Sequence, residues 1–229
     1  WGIADFIHQP GTQKYWISIQ DSGIAIYNNA TKQMSYEGNN VENEPAIDKL
    51  KGIGPSNFMF DKKGRLWFDT WRGYPIIYCY DAKKNEIVLD KYDFLSTLKS
   101  YYETKGFLEQ QDGTVWIKGA KVFARYMESE KKFEQVYNGY LNEHSITFEA
   151  INSFYEDREK NIWVGTSDNG LYRFNPAEQF FRNVAHTNRL NGNKGSGSPM
   201  SFIYTKWGTI LAGTWGDGLY HYDNDLNLI

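Results

Sequence analysis

Five segments of this chain are variants of one short pattern, and they recur about fifty residues apart. The clearest copy runs Asn161, Ile162, Trp163, Val164, Gly165, Thr166, then Ser167, Asp168, Asn169, Gly170, then Leu171, Tyr172, Arg173, Phe174, Asn175. The last copy runs Thr209, Ile210, Leu211, Ala212, Gly213, Thr214, then Trp215, Gly216, Asp217, Gly218, then Leu219, Tyr220, His221, Tyr222, Asp223. Weaker copies centre on Trp16, Trp67 and Trp116. The anchors 16, 67, 116, 163 and 211 are separated by 51, 49, 47 and 48 residues. A period of this length is the mark of a repeat architecture.

Each repeat reads as four short strands. In the fourth unit they are expected at 149–155, 161–166, 171–175 and 179–184, with turns at 157–160 and 168–170. Alternating apolar and polar residues, β-branched and aromatic enrichment, and Gly or Asp at the breaks carry that reading. Four up-and-down strands per period match one blade of a β-propeller. The expected fold is therefore all-β: a β-propeller of five four-stranded antiparallel blades, near 1–38, 55–92, 104–137, 148–185 and 199–229. The last strand of the fifth blade is expected at 226–229. Residues 1–229 form a single propeller domain or a propeller fragment, either a closed five-bladed ring or an arc of a larger one. The arc is favoured, because no strand is borrowed across the termini. Beginning at Trp1 inside a first strand, the chain reads as a piece of a longer protein or a processed product.

Turn chemistry aligns the units. Gly64, Gly113 and Gly208 stand three residues before their anchors, with Lys160 in the same place in the fourth unit. A turn residue there is expected to need a positive φ. Gly23, Gly170 and Gly218 stand seven residues after theirs, as hairpin glycines. Tyr27, Tyr80, Tyr126, Phe174 and Tyr222 close the third strands, and Trp16, Trp67, Trp116 and Trp163 are expected in the core.

These residues resemble the two-component regulator propeller repeat, whose pattern is roughly Asp-x-x-Gly-(x)-Ile-Trp-x-Gly-Thr followed by Gly-Leu-x-x-Tyr/Phe. The match is close in units four and five, moderate in one and two, and poor in three. The resemblance implies an extracytoplasmic, periplasmic sensor propeller of a bacterial histidine kinase or hybrid two-component receptor, with seven blades in the parent protein. It also implies signal transduction without catalysis and, for many members, carbohydrate sensing.

Composition narrows the alternatives. Aromatics make up 17% of the chain, which suits sheets stacked face to face. A net charge of −3 and a pI near 5.9 argue against nucleic acid as a partner. No apolar run is long enough to span a bilayer, so no direct membrane insertion is expected of this segment, and no signal peptide is recognisable. Cys79 is the single cysteine and reads as a small buried apolar residue. The four histidines lack metal-ligand spacing, and no nucleophile elbow, Walker loop or zinc motif occurs. No catalytic residue, metal or cofactor is nominated.

Strand alternation places the turns between second and third strands on the same end as the crossovers between blades. Those crossovers, near 38–55, 94–105, 138–147 and 186–199, are long, and long loops carry function. Two of them are expected to hold helical turns, at 45–51 and at 93–98 with Asp93 as N-cap. The stretch 191–198 reads as a flexible linker. On the long-loop end, Trp71 and Trp215 offer faces for a sugar ring, against the plainer reading of packing or turn structure. Arg72 offers a fork for a uronate, sulfate or carboxylate, against that of a solvated surface Arg. Asp168, Asn169, Asp217, Asp21 and Gln20 occupy equivalent turns, where Asp and Asn first serve as caps. The candidate ligand-binding set is Trp71, Arg72, Asp168, Asn169, Trp215 and Asp217. The expected partner is a small molecule or oligosaccharide, with self-association or the remaining blades of a parent sensor beside it. A protein-interaction scaffold and a propeller-fold polysaccharide lyase or hydrolase are the competing readings.

Overall fold

The computed structural model describes residues 2–20, 22–136, 146–175, 180–184 and 198–229. The fold is all-β and antiparallel, with nineteen strands and two short helices among the described residues. The first sheet holds β1 (Ile3–His8), β2 (Lys14–Ile19), β3 (Gly23–Asn28) and β4 (Gln33–Tyr36). After α1 (Pro45–Lys49) the second holds β5 (Pro55–Phe60), β6 (Arg65–Trp71), β7 (Pro75–Asp81) and β8 (Glu86–Tyr92). After α2 (Leu95–Leu98) the third holds β9 (Glu103–Glu109), β10 (Val115–Ala120), β11 (Phe123–Met127) and β12 (Lys132–Gln135). The fourth holds β13 (Ile151–Glu156), β14 (Ile162–Thr166), β15 (Leu171–Asn175) and β16 (Phe180–Val184). The fifth holds β17 (Ser198–Tyr204), β18 (Ile210–Trp215) and β19 (Gly218–Tyr222). Strand order in every sheet follows the chain.

Four sheets thus have four strands and the fifth has three. The strand expected at 226–229 is reduced to one bridge, Tyr222 with Leu228. Its approach is consumed by a tight turn. Asp223 accepts from the amides of Asp225 and Asn227, and Leu226 sits at φ 70°. The helical turn at 93–98 is shorter than expected, and its N-cap is Phe94 rather than Asp93. Asp93 instead accepts from the Leu95 amide one step earlier. The linker at 191–198 lies, up to residue 197, outside the described residues, as does most of the crossover at 138–147.

The turn glycines adopt the required backbone. Gly64, Gly113 and Gly208 have φ of 82°, 90° and 77°, and Lys160 is held at 66° in the same place. Trp16, Trp67, Trp116 and Trp163 are all buried. Each indole N–H is satisfied six or seven residues back: by Gln9, Asp61, Gln110 and Asp157, at 2.9, 2.9, 2.6 and 2.7 Å. A buried indole needs such an acceptor. Cys79 is buried, and burial pushes its thiol pKa up.

The chain divides into two compact units, Trp1–Glu109 with Glu128–Lys132, and Gln110–Met127 with Phe133–Ile229, the boundary falling inside the third sheet. Within the first unit, Trp16, Ile24 and Ile26 of the first sheet pack on Phe60, Leu66, Phe68 and Tyr80 of the second. Within the second unit, Trp163 and Leu171 of the fourth sheet pack on Ile210, Ala212, Tyr220 and Tyr222 of the fifth. Two residues beyond each of the first four anchors, the chain meets the next sheet. Ser18 donates to the Pro55 carbonyl, Asp69 accepts from Thr104, and Lys118 donates to the Asn152 carbonyl. Gly165 fits there only because it lacks a Cβ, which would lie 2.9 Å from Phe202 and 3.0 Å from Pro199.

Candidate ligand cleft beside Trp71

The turn after β6 presents the site. Arg72, Gly73 and Tyr74 join Trp71 to Pro75, with Gly73 at φ 82° and the Arg72 amide bonded to the Tyr74 carbonyl. That tight loop leaves Trp71 at the strand's end with 55% of its surface exposed. Its ring meets that of Tyr101 edge-on, with centroids 6.5 Å apart. Arg72 folds back, and its Nη2 donates to the Gly52 carbonyl at 2.9 Å. This anchors the guanidinium through one of its five N–H groups.

Two clefts flank the indole. One, of about 490 Å3, is walled by Gln20, Gly52, Gly54, Ser56, Thr70 and Arg72. The other, of about 200 Å3, is walled by Asn57, Asp69, Pro75, Glu103 and Thr104. Ser56, Thr70 and Trp71 line both. Beneath them Asp69 is buried and accepts from Ser56 Oγ at 2.5 Å, Asn57 Nδ2 at 2.8 Å and Thr104 Oγ1 at 2.6 Å. Burial raises its pKa above the usual carboxylate value, the three donors oppose that rise, and the charge of Asp5 adds to it. Asn57 reaches the carboxylate from a positive φ of 54°. Asp69 therefore ties the first strands of the second and third sheets together under the cleft floor.

Trp71, Arg72 and Gln20 thus share one cleft. The other nominated residues stand in separate hairpin turns of the second unit. Asp168 accepts from the Glu149 amide at 3.0 Å and from Asn169 Nδ2 at 2.7 Å, while the Asn169 amide donates to Thr166 Oγ1. Trp215 is 78% exposed at the end of β18. Asp217 accepts from the Tyr220 hydroxyl at 2.5 Å, and burial together with that bond pushes the Tyr220 pKa up to about 12. Asp21 lies outside the described residues. The cluster of Ser56, Asn57, Asp69 and Thr104 was not nominated. One signal was available: Asp69 stands where the repeat pattern calls for Gly, after Trp67 and Phe68 and before Thr70. Among the described residues no group of three or more His, Cys, Asp or Glu could hold a metal ion.

Residues 145–168 match the family model described as two component regulator propeller. The chain carries a two-component regulator propeller repeat. The match spans the fourth repeat from the crossover to Asp168. No curated protein matches the chain at a significant level. Among solved structures, the extracellular domain of BT4673 from B. thetaiotaomicron, described as a one component or a hybrid two component system, aligns with a TM-score of 0.67. The identity is 18%, over 99% of this chain and 27% of that one. PorZ, a surface component of the type-IX secretion system of Porphyromonas gingivalis, aligns with a TM-score of 0.64 and 15% identity, over 100% of this chain and 33% of that one. A streptogramin B lyase aligns at 0.62 and 10% identity, over 100% and 67%. At these identities the likeness is one of fold, and the chain spans about a quarter of the length of BT4673's domain. Among the described residues, no helix is long and apolar enough to cross a membrane.

Proposed function

We propose that this chain is part of the extracytoplasmic ligand-sensing propeller of a bacterial two-component receptor, and that it binds a carbohydrate or a similar polar solute over Trp71. The observation that carries this reading is the exposed Trp71 ring set between two clefts walled by hydroxyl, amide and guanidinium groups. An indole face covers the apolar face of a sugar ring, and fixed polar groups around it select hydroxyl positions. The propeller repeat and the likeness in fold to an extracellular receptor domain support the sensor role. Binding without turnover suits Asp69, whose oxygens already accept from three donors and hold sheets together. A general base needs a free oxygen within reach of the substrate proton. The signal would pass to a further segment of the receptor.

Titration calorimetry against a panel of neutral and acidic oligosaccharides, with candidate protein partners alongside, tests the reading. A saccharide hit is expected, and Trp71→Ala should weaken it about tenfold or more, as truncating a central interfacial Trp does. Because Trp71 is half exposed, the variant should keep its melting temperature. Flat traces for every saccharide beside one clear protein partner would replace this reading with that of an interaction scaffold. Saccharide binding undiminished in Trp71→Ala would move the site elsewhere.

A further inference from the structure

Charge changes sign across the Trp71 indole. Among the residues lining the larger cleft, of about 490 Å3, the one ionisable side chain is that of Arg72. Among those lining the smaller cleft, of about 200 Å3, the ionisable side chains are the carboxyls of Asp69 and Glu103. A ligand lying over the ring meets a cation on one side and carboxyl groups on the other.

Arg72 is held in place without being neutralised. It is exposed, and among the described residues no carboxylate stands within ion-pair distance of it. Its bond to the Gly52 carbonyl leaves the rest of its planar fork of donors open. That carbonyl is itself well seated. Gly52 follows the fully buried Leu50, whose own carbonyl accepts from the Ile53 amide at 3.1 Å. The hairpin between β2 and β3 backs the same segment so closely that a Cβ on Gly23 would lie 3.0 Å from the Leu50 oxygen. A guanidinium fixed in this way has little freedom left to lose when an anion binds. On the other side of the ring, Glu103 accepts from the Tyr101 hydroxyl through one oxygen. Its second oxygen can accept from a ligand hydroxyl, and its charge repels a ligand anion.

We propose that the saccharide bound over Trp71 is anionic, with its carboxylate or sulfate in the larger cleft against Arg72 and a neutral, hydroxyl-bearing part beside Asp69 and Glu103. This rests on the reading that a saccharide binds over Trp71. Carboxylate and sulfate both present paired oxygens to the parallel N–H groups of a guanidinium, which a lysine ammonium could not match. The larger cleft lies within the range of about 300–1,000 Å3 for small-molecule sites and the smaller one below it. The acidic sugar is therefore the main recognition element, and the smaller cleft takes an extension of the same oligomer. Trp71 supplies ring contact whatever the charge, and Arg72 sets the specificity.

Titration calorimetry with two charge-matched pairs tests this on the 229-residue chain. One pair is an oligogalacturonate and its methyl ester; the other is a sulfated galactan oligomer and its desulfated form. An acidic member should bind, and its neutral counterpart should bind about tenfold more weakly or worse. The arm that responds tells carboxylate from sulfate, and the preference should shrink as salt is raised. Arg72→Gln should bring the acidic member down to the affinity of the neutral one and leave the neutral one unchanged. Arg72→Lys, which keeps the charge but not the fork, should fall between. Both substitutions are on an exposed side chain, and circular dichroism checks that each variant folds. A neutral member that binds as tightly as its acidic counterpart, or an acidic preference that survives in Arg72→Gln, would overturn the proposal and leave saccharide sensing intact. Four flat traces would also overturn it, and the wider saccharide panel then decides whether the sensing reading falls with it.

Discussion

Trp163 and Leu211 hold the same place in consecutive sheets, yet the first is fully buried and the second only partly so. Around Trp163, Asp157 does two jobs. Its Oδ1 accepts from the Asn161 amide to close the turn, and its Oδ2 accepts from the indole at 2.7 Å. In the fifth sheet Thr205 keeps the first job, accepting from the amides of Trp207 and Thr209. It has no second oxygen for an indole, and Leu211 brings none. In the first and third sheets, Gln9 and Gln110 supply the indole's acceptor. The comparison teaches that turn closure and indole satisfaction are separable. A carboxylate or amide accompanies the anchor only where the anchor is a buried Trp.

This contrast can be broken by truncating both anchors. Trp163→Ala should cost about 3–5 kcal/mol, the range for emptying a large core site. Leu211→Ala should cost about 1 kcal/mol, because much of its apolar surface is already wet. Urea unfolding midpoints at constant slope would report both. Equal losses would mean that the two sheets are equally well covered.

The sequence made the repeat, its turns and its buried anchors legible because those depend on near neighbours. A φ of 66° at Lys160 follows from the same turn that uses Gly64 and Gly208. An indole and its acceptor six residues earlier share one hairpin. The floor of the Trp71 cleft was not legible, since Ser56, Asn57, Asp69 and Thr104 come from three strands in two sheets. Their convergence depends on how one sheet packs on the next, which no local pattern encodes. The three-stranded fifth sheet was missed for a similar reason: the Asp223 turn takes up the residues that a fourth strand would need.

A smaller effect should separate the polar contact between the second and third sheets from the glycine contact between the fourth and fifth. Asp69 has a raised folded-state pKa, chiefly through burial. The native state therefore holds its proton more tightly than the unfolded chain does. The stability this lends is fully present below the unfolded value of about 4 and is lost as pH rises through the higher folded value. Asp69→Asn removes that dependence. The stability of Asp69→Asn relative to the unmodified chain should thus be more favourable at pH 7 than at pH 4, while Gly165, without a titrating group, lends its contact no such dependence. A difference constant across that window would show that the buried carboxylate does not titrate as its surroundings imply.

The pairing of indole with acceptor is tested most directly by a double-mutant cycle on Asp157→Ala and Trp163→Phe, the second change removing the N–H while keeping an aromatic ring. The account predicts a coupling of about 1–3 kcal/mol, the upper part of the range for residues in direct contact. The matching cycle at Thr205 and Leu211 should be additive. Additivity within about 0.5 kcal/mol at Asp157 and Trp163 would contradict the claim that the carboxylate is retained for the buried indole.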